Sequence, residues 1–243
     1  MQKILKTLKL KWAEYLLEII VIIIGILGAF LLNSWGENVQ SSRSEQRLLT
    51  GLRSEFIKNK EKLTTVLEHH ERSFSSTREI LFMFNTENYE FGKFDSLIRP
   101  SLIEFFFTFD PGNGFLKSSI SSGAIRHIKN KDLITLLSEF ESIILDAIEE
   151  PERAMDITMS KLSPRISNYI SLNTEYWVSL PNSLASEFPV SKFQHGLSGF
   201  FNDRKIEYWM IQMAFWQKVA IDEEKELLSK IEKIIQLIES DIE

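Results

Sequence analysis

Residues Tyr15 to Leu32, YLLEIIVIIIGILGAFLL, are eighteen consecutive residues with a single charge, Glu18. At about 1.5 Å rise per residue such a run is ~27 Å long as a helix, close to the ~30 Å of hydrocarbon in a bilayer. The run predicts a membrane-crossing helix, and both of its ends carry interface residues. Trp12 and Tyr15 precede or open it and Trp35 follows it, where amphipathic rings favour the headgroup level. The two tryptophans fall ~35 Å apart along a helix. The sequence therefore divides into a basic lead-in over residues 1–14, a transmembrane anchor over 15–36 and a single extracytoplasmic helical domain over 37–243. The last is long enough to bury a core without splitting in two.

Orientation follows from the charges that flank the run. Lys3, Lys6, Lys9 and Lys11 precede it, whereas Arg43, Arg47 and Arg53 beyond it are interleaved with Glu37, Glu45 and Glu55. A lysine and arginine excess marks the cytoplasmic side of a span. The expectation is an N-terminus inside and residues 37–243 outside, which in a bacterium with two membranes means the inner membrane and the periplasm. A cleaved signal peptide would show a shorter apolar core and a small-x-small exit. This run leaves instead through Leu31, Leu32, Asn33, Ser34 and Trp35, so an uncleaved signal anchor is the expectation. Leu5, Leu8 and Leu10 among the lysines suit the lead-in to lie at the inner headgroups.

Within the anchor, Glu18 sits about one turn inside the apolar boundary, where a carboxylate is costly. It either reaches back to the headgroups, beside Lys11, or faces a partner or a water-filled gap. Gly25 and Gly28 are small enough to let helices approach closely, although their spacing of three is not the GxxxG pattern.

Charge and composition exclude several classes for the rest. The chain has a formal charge of -6, and residues 1–36, with four lysines against two glutamates, contribute +2, leaving -8 beyond the anchor. An acidic domain without a basic run lacks the phosphate-neutralising surface that nucleic acid requires. With no cysteine, disulfides, thiolate catalysis and cysteine zinc sites are all absent. His69 and His70 are neighbours, ~100° apart on a helix, and cannot both face one ion. They are expected on the surface or at the rim of a bundle. No serine stands in an activated setting beside His127 or His195, and G-x-S-x-G is missing. No catalytic, cofactor or metal residue is predicted, and the expectation is a non-enzyme.

The pattern beyond Trp35 is helical throughout. From Asn38 to Phe84 there is one glycine, Gly51, and no proline, and Leu48, Leu49, Leu52, Phe56, Leu63, Val66, Leu67 and Ile80 recur at spacings of three and four. This predicts a long amphipathic helix that continues the anchor with at most a bend at Gly36. Asp95 is placed to cap a short helix that Pro100 kinks or splits. Phe105, Phe106, Phe107 and Phe109 are expected as core. Residues 115–130, FLKSSISSGAIRHIKN, predict a helix, a left-handed exit at Gly123 and a cap at Asn130. A helix over 131–163 follows, which Pro151 kinks or restarts, then short elements over 164–202. The final helix runs from about Asp203 to Ile242 with Ile206, Met210, Met213, Ala220, Leu227, Ile231, Ile234 and Ile238 on one face. No useful strand alternation occurs, so the fold class is all-α: one transmembrane helix, then an elongated antiparallel bundle.

Three stretches together carry a resemblance: EIIVIIIGILGAFLLNSWGE from Glu18, FDPGNGFLKSSISSGAIRHIKNKDL from Phe109, and the acidic, isoleucine-rich final helix. The chain resembles, over nearly its full length, an uncharacterised family of small single-pass membrane proteins of Gram-negative bacteria. In that family the anchor exits through Asn-Trp and the middle carries Ser-Gly followed by Ile-x-Asn. Here the exit is Asn33, Ser34, Trp35, and the central motif is Ser122, Gly123, Ile128 and Asn130. The resemblance implies no activity and no catalytic residue. The functional expectation is a membrane-anchored helical scaffold or interaction protein of the envelope. Its partners would be the lipid bilayer, further copies of itself in a homo-oligomer and an envelope protein. A periplasmic ligand sensor and a pore built from assembled spans around Glu18 stand as alternatives.

Overall fold

The computed structural model describes residues 2–86, 89–171, 173–174, 187–193 and 195–242, with backbone alone for 2–11 and 13–15. Among these residues the fold is all-helical. Helix α1 spans Gln2–Met83 without interruption, ~120 Å at 1.5 Å per residue. It passes straight through Gly36, consistent with the absence of proline over its whole length. Its C-terminal half is the spine of the bundle.

The second long element, α8, spans Arg204–Asp241 and runs antiparallel to α1. Pairings descend along one helix as they climb the other. Gln46 Nε2 donates to the Asp241 carbonyl at 2.9 Å, Lys60 meets Glu232 at 2.8 Å, and Gln217 Nε2 donates to Ser73 Oγ at 3.0 Å. Asp203 opens α8 by accepting from the N–H groups of Lys205 (2.9 Å) and Ile206 (3.4 Å), which serves two of the donors that a helix start leaves unpaired. Burial pushes the Asp203 carboxyl up, but Arg165 at 2.6 Å, the Lys205 N–H and the Tyr169 hydroxyl outweigh it and hold the group below its ordinary value.

The remaining helices cover one side of this pair. They are α2 (Phe91–Ile103), α3 (Gly114–Ser121), α4 (Lys131–Ala147), α5 (Glu149–Ile157), α6 (Ser163–Ile166) and α7 (Leu197–Phe201). Two main apolar cores result. Nearer the anchor, Leu49, Leu52, Phe56 and Leu63 of α1 meet Leu133, Leu137 and Phe140 of α4 and Leu227, Ile231, Ile234 and Ile238 of α8. Farther out, Ile80 packs with Phe94, Ile98, Leu162, Phe200, Ile206, Met210 and Met213. Each such side chain withdrawn from water contributes ~1.5–3 kcal/mol before entropy is counted.

Several expectations change. Asp95 is not a cap: α2 begins four residues earlier, after Glu90, and Asp95 lies buried inside it, accepting from Thr174 Oγ1 at 2.9 Å. Pro100 falls in the last turn of α2 without splitting it. The chain over 131–163 breaks at Ile148, and a new helix opens at Glu149 with Pro151 third in line, where no intrahelical acceptor awaits an N–H. A π-helical turn over Thr158–Leu162 then carries the chain past Pro164 into α6. In the phenylalanine run, Phe105 and Phe109 are buried, but Phe106 and Phe107 are exposed.

Candidate functional site

The anchor sits on the N-terminal half of α1, where packing ends. From Leu16 the helix is apolar enough to cross a membrane, with mean hydropathy 2.6 over its most apolar window and none of that window buried. A soluble core helix of such composition would be covered by its own fold; this one is not. Trp12 and Trp35 are exposed at 63 % and 68 %. The Tyr15 side chain lies outside the described residues. Glu18 is exposed, and a methyl group added at Gly25 or Gly28 would meet nothing within 4 Å. On an uninterrupted helix Glu18 and Gly25, seven residues apart, share a face, with Gly28 and Ala29 beside it. Asn33 Nδ2 donates to Glu37 Oε1 one turn on, at 2.8 Å, so the exit is helical and capped by nothing.

Above the anchor, α1 holds the central motif segment by a ladder of side chain to backbone bonds. Lys62 Nζ donates to the Asp110 carbonyl (3.0 Å), and Asn59 pairs twice with Gly112, donating to its carbonyl and accepting from its N–H, both at 2.8 Å. Glu55 accepts from the Phe115 and Leu116 N–H groups at 2.7 and 3.0 Å, a carboxylate at the N-terminus of α3. The Phe115 ring lies on Gly51 so closely that a Cβ there would stand 2.2 Å from it. Glu45, buried, accepts from the Lys129 N–H at 2.8 Å and pairs with its ammonium at 2.7 Å. Segment 110–130 thus descends along α1 toward the anchor.

The motif residues shape the foot of this descent. Ser122 follows α3, and Gly123 takes φ 74°, the left-handed region where a side chain is strained. The Arg126 guanidinium lies over Gly123. Ile128 is buried at 3 % in the anchor-side core. Asn130 caps α4 by accepting from the Leu133 N–H at 3.1 Å.

A buried polar node, which sequence reasoning missed, joins the two long helices. His70 is fully buried and not on the rim. Its Nε2 lies 2.7 Å from the Phe107 carbonyl, which can only accept, so that nitrogen carries hydrogen. Its Nδ1 lies 2.9 Å from Glu224 Oε2, and the ring and carboxyl hold a proton between them. Phe105 stacks on the ring at 3.9 Å. One turn further, Ser73 Oγ donates to the Ser101 carbonyl and receives Gln217, while Thr77 meets Ser101 Oγ at 2.8 Å. His69, by contrast, is half-buried, stacked on Phe107 at 3.7 Å and bonded to Arg72.

The remaining histidines separate. His127 is exposed at the end of the Gly123 corner, while His195 is buried beside Asp95 at 3.6 Å. Burial pushes His195 below its ordinary range, against the pull of Asp95. No group of three or more His, Asp or Glu able to hold a metal ion occurs among the described residues. The densest titratable group is on the α5–α8 side, where burial and the neighbouring Glu150 raise Glu223 to about 7. Compared with protein-family models, curated proteins and solved structures, the chain matches none.

Proposed function

We propose that this chain is a membrane-anchored helical scaffold of the bacterial envelope, inserted in the inner membrane with its N-terminus cytoplasmic and the bundle periplasmic. The observation that carries the reading is the unity of α1: the bare apolar segment and the spine of the bundle are one helix, with no hinge sequence between them. A tether for a free-moving domain needs only a flexible linker. An unbroken helix instead fixes the height and direction of what it carries, which is what a spacer or assembly platform requires. The anchor-side core begins at Leu48, ~20 Å beyond Trp35 along the helix, and the C-terminus returns to that level.

The anchor face supports self-association. Glu18 and Gly25 on one side of the span, with Gly28 and Ala29 adjoining, gain from a second helix that shields the carboxyl and accepts close approach. Light scattering of full-length protein, Glu18→Gln and residues 37–243 in mild detergent tests this. The expected result is an assembly for full-length protein that Glu18→Gln weakens. Monomers throughout, over a wide concentration range, would remove self-association through the anchor from the reading.

A further inference from the structure

The outer face of α8 carries a second feature that neither the anchor nor the core uses. Arg204, Tyr208, Ile211, Phe215, Lys218 and Asp222 are spaced by four and three residues in turn, and all six are exposed. At 100° per residue they fall within an arc ~80° wide, directly opposite the buried stripe of Ile206, Met210, Met213, Gln217 and Ala220. At its centre, Tyr208, Ile211 and Phe215 expose 53 %, 50 % and 57 % of their surface. Tyr208 and Phe215 are braced edge-on by Trp209 and Trp216 at 4.9 and 5.1 Å, so the aromatic ridge is held rather than loose. The tryptophans are themselves covered by Lys161 and Arg153 from the neighbouring segment.

The order of residues in this stripe is complementary to its own reverse. Laid antiparallel about the level of Met213, one copy places Arg204 against Asp222 of the other, Tyr208 against Lys218, and Ile211 against Phe215, each contact occurring twice. Asp222, already paired with Lys218 of its own helix, would then lie between two cations. Laid parallel, the same stripe sets Arg204 against Arg204 and Lys218 against Lys218, which costs energy where opposite charges would have gained it.

We propose that the occupant of this face is a second copy of the chain, docked α8 to α8 in antiparallel sense about Met213. The contact is a different one from the anchor face. Because α8 runs alongside α1, this pairing sends the two N-terminal halves of α1 out of opposite ends of the pair; resting on the membrane reading above, it joins chains that stand on facing bilayers.

The chain contains no cysteine, so the geometry is testable by placed thiols in the full chain. Tyr208→Cys and Lys218→Cys proteins, mixed in mild detergent and oxidised, should give the mixed disulfide as the main dimer. Self-crosslinks should be scarce, since like positions lie ten residues apart, ~15 Å, in the antiparallel pair. Homodisulfides of Tyr208→Cys at equal yield would overturn the antiparallel arrangement. Yields no higher than for cysteines at Glu61 and Glu68, outside the stripe, would overturn the contact altogether. As a check that spares the thiols, Arg204→Asp should lower the dimer fraction several-fold and the double variant with Asp222→Arg should restore it. All these side chains are exposed, so circular dichroism should be unchanged. The Glu18→Gln background separates the outcomes: loss of the α8 crosslink there would assign the dimer to the anchor and sink this proposal while leaving the anchor reading intact.

Discussion

The two halves of α1 obey the same backbone geometry and opposite solvation rules. In residues 45–83 the apolar side chains form one stripe, and Leu49, Leu52, Phe56, Leu63 and Ile80 are fully buried against other helices. In residues 16–35 apolar side chains face every direction, and none is buried. A helix in water cannot leave such a surface open over five turns, because each large side chain forgoes ~1.5–3 kcal/mol of transfer energy. The first half is therefore completed by the fold, and the second by something outside it.

The sharpest way to break that contrast is to delete matched bulk from both halves. Phe56, fully buried with its ring 4.7 Å from Phe140, should lose ~3–5 kcal/mol of bundle stability on conversion to alanine. Phe30, 66 % exposed, should lose none in detergent. Chemical denaturation followed by circular dichroism checks both, and equal effects would mean that the bundle also packs on the anchor.

A second test concerns the polar interior of the buried half. Glu224→Ala leaves His70 Nδ1 without its partner in a sealed core, and should cost ~2–4 kcal/mol. Glu224→Gln, able to donate to that nitrogen, should recover part of the loss. Two variants of equal stability would show that the contact carries no weight in joining α1 to α8.

Gly123→Ala probes the foot of the bundle, where the left-handed backbone and the overlying Arg126 leave no easy place for a methyl group. The expected cost is on the order of 1 kcal/mol, read as a lower Tm. An unchanged Tm would contradict the left-handed exit.

The smallest effect is a pH dependence on the α5–α8 side. Burial and Glu150 raise Glu223 to about 7 in the folded chain, from 4.5. The folded state then binds the proton more tightly than the unfolded one, so this stabilisation is fully present below pH 4.5 and fades as pH rises through 7. Solvent screening of a half-exposed group limits it to about 1 kcal/mol or less. Glu223→Gln should flatten stability against pH in that window, and an unaltered profile would place the titration elsewhere.

These contrasts also mark what the sequence displays. Both long helices, the Gly123 exit and the Asn130 and Asp203 caps are local signals: periodicity, a breaker at the right place, a side-chain oxygen next to free N–H groups. The anchor stands out for the same reason. What stays hidden depends on distant partners. His69 and His70 show only their own spacing, which argues correctly against a shared ion but says nothing of Glu224, 154 residues away, or of the Phe107 carbonyl. Asp95 has the chemistry of a cap, yet its place is set by Thr174 and His195, both remote in sequence. Gly51 reads as a flaw in a helix until Phe115 arrives upon it.

The central claim is that the bare half of α1 is completed by a membrane and the bundle stands on one side of it. In a chain without native cysteine, single thiols at Ser44, just beyond the span, and at Ser240, near the returning C-terminus, measure this directly in intact spheroplasts. The account predicts that both react with a membrane-impermeant thiol reagent, and that a cysteine at Gln2 reacts only after lysis. Labelling of Ser44→Cys and Ser240→Cys only after lysis, with Gln2→Cys accessible from outside, would contradict the orientation; equal labelling of all three before lysis would contradict the span itself.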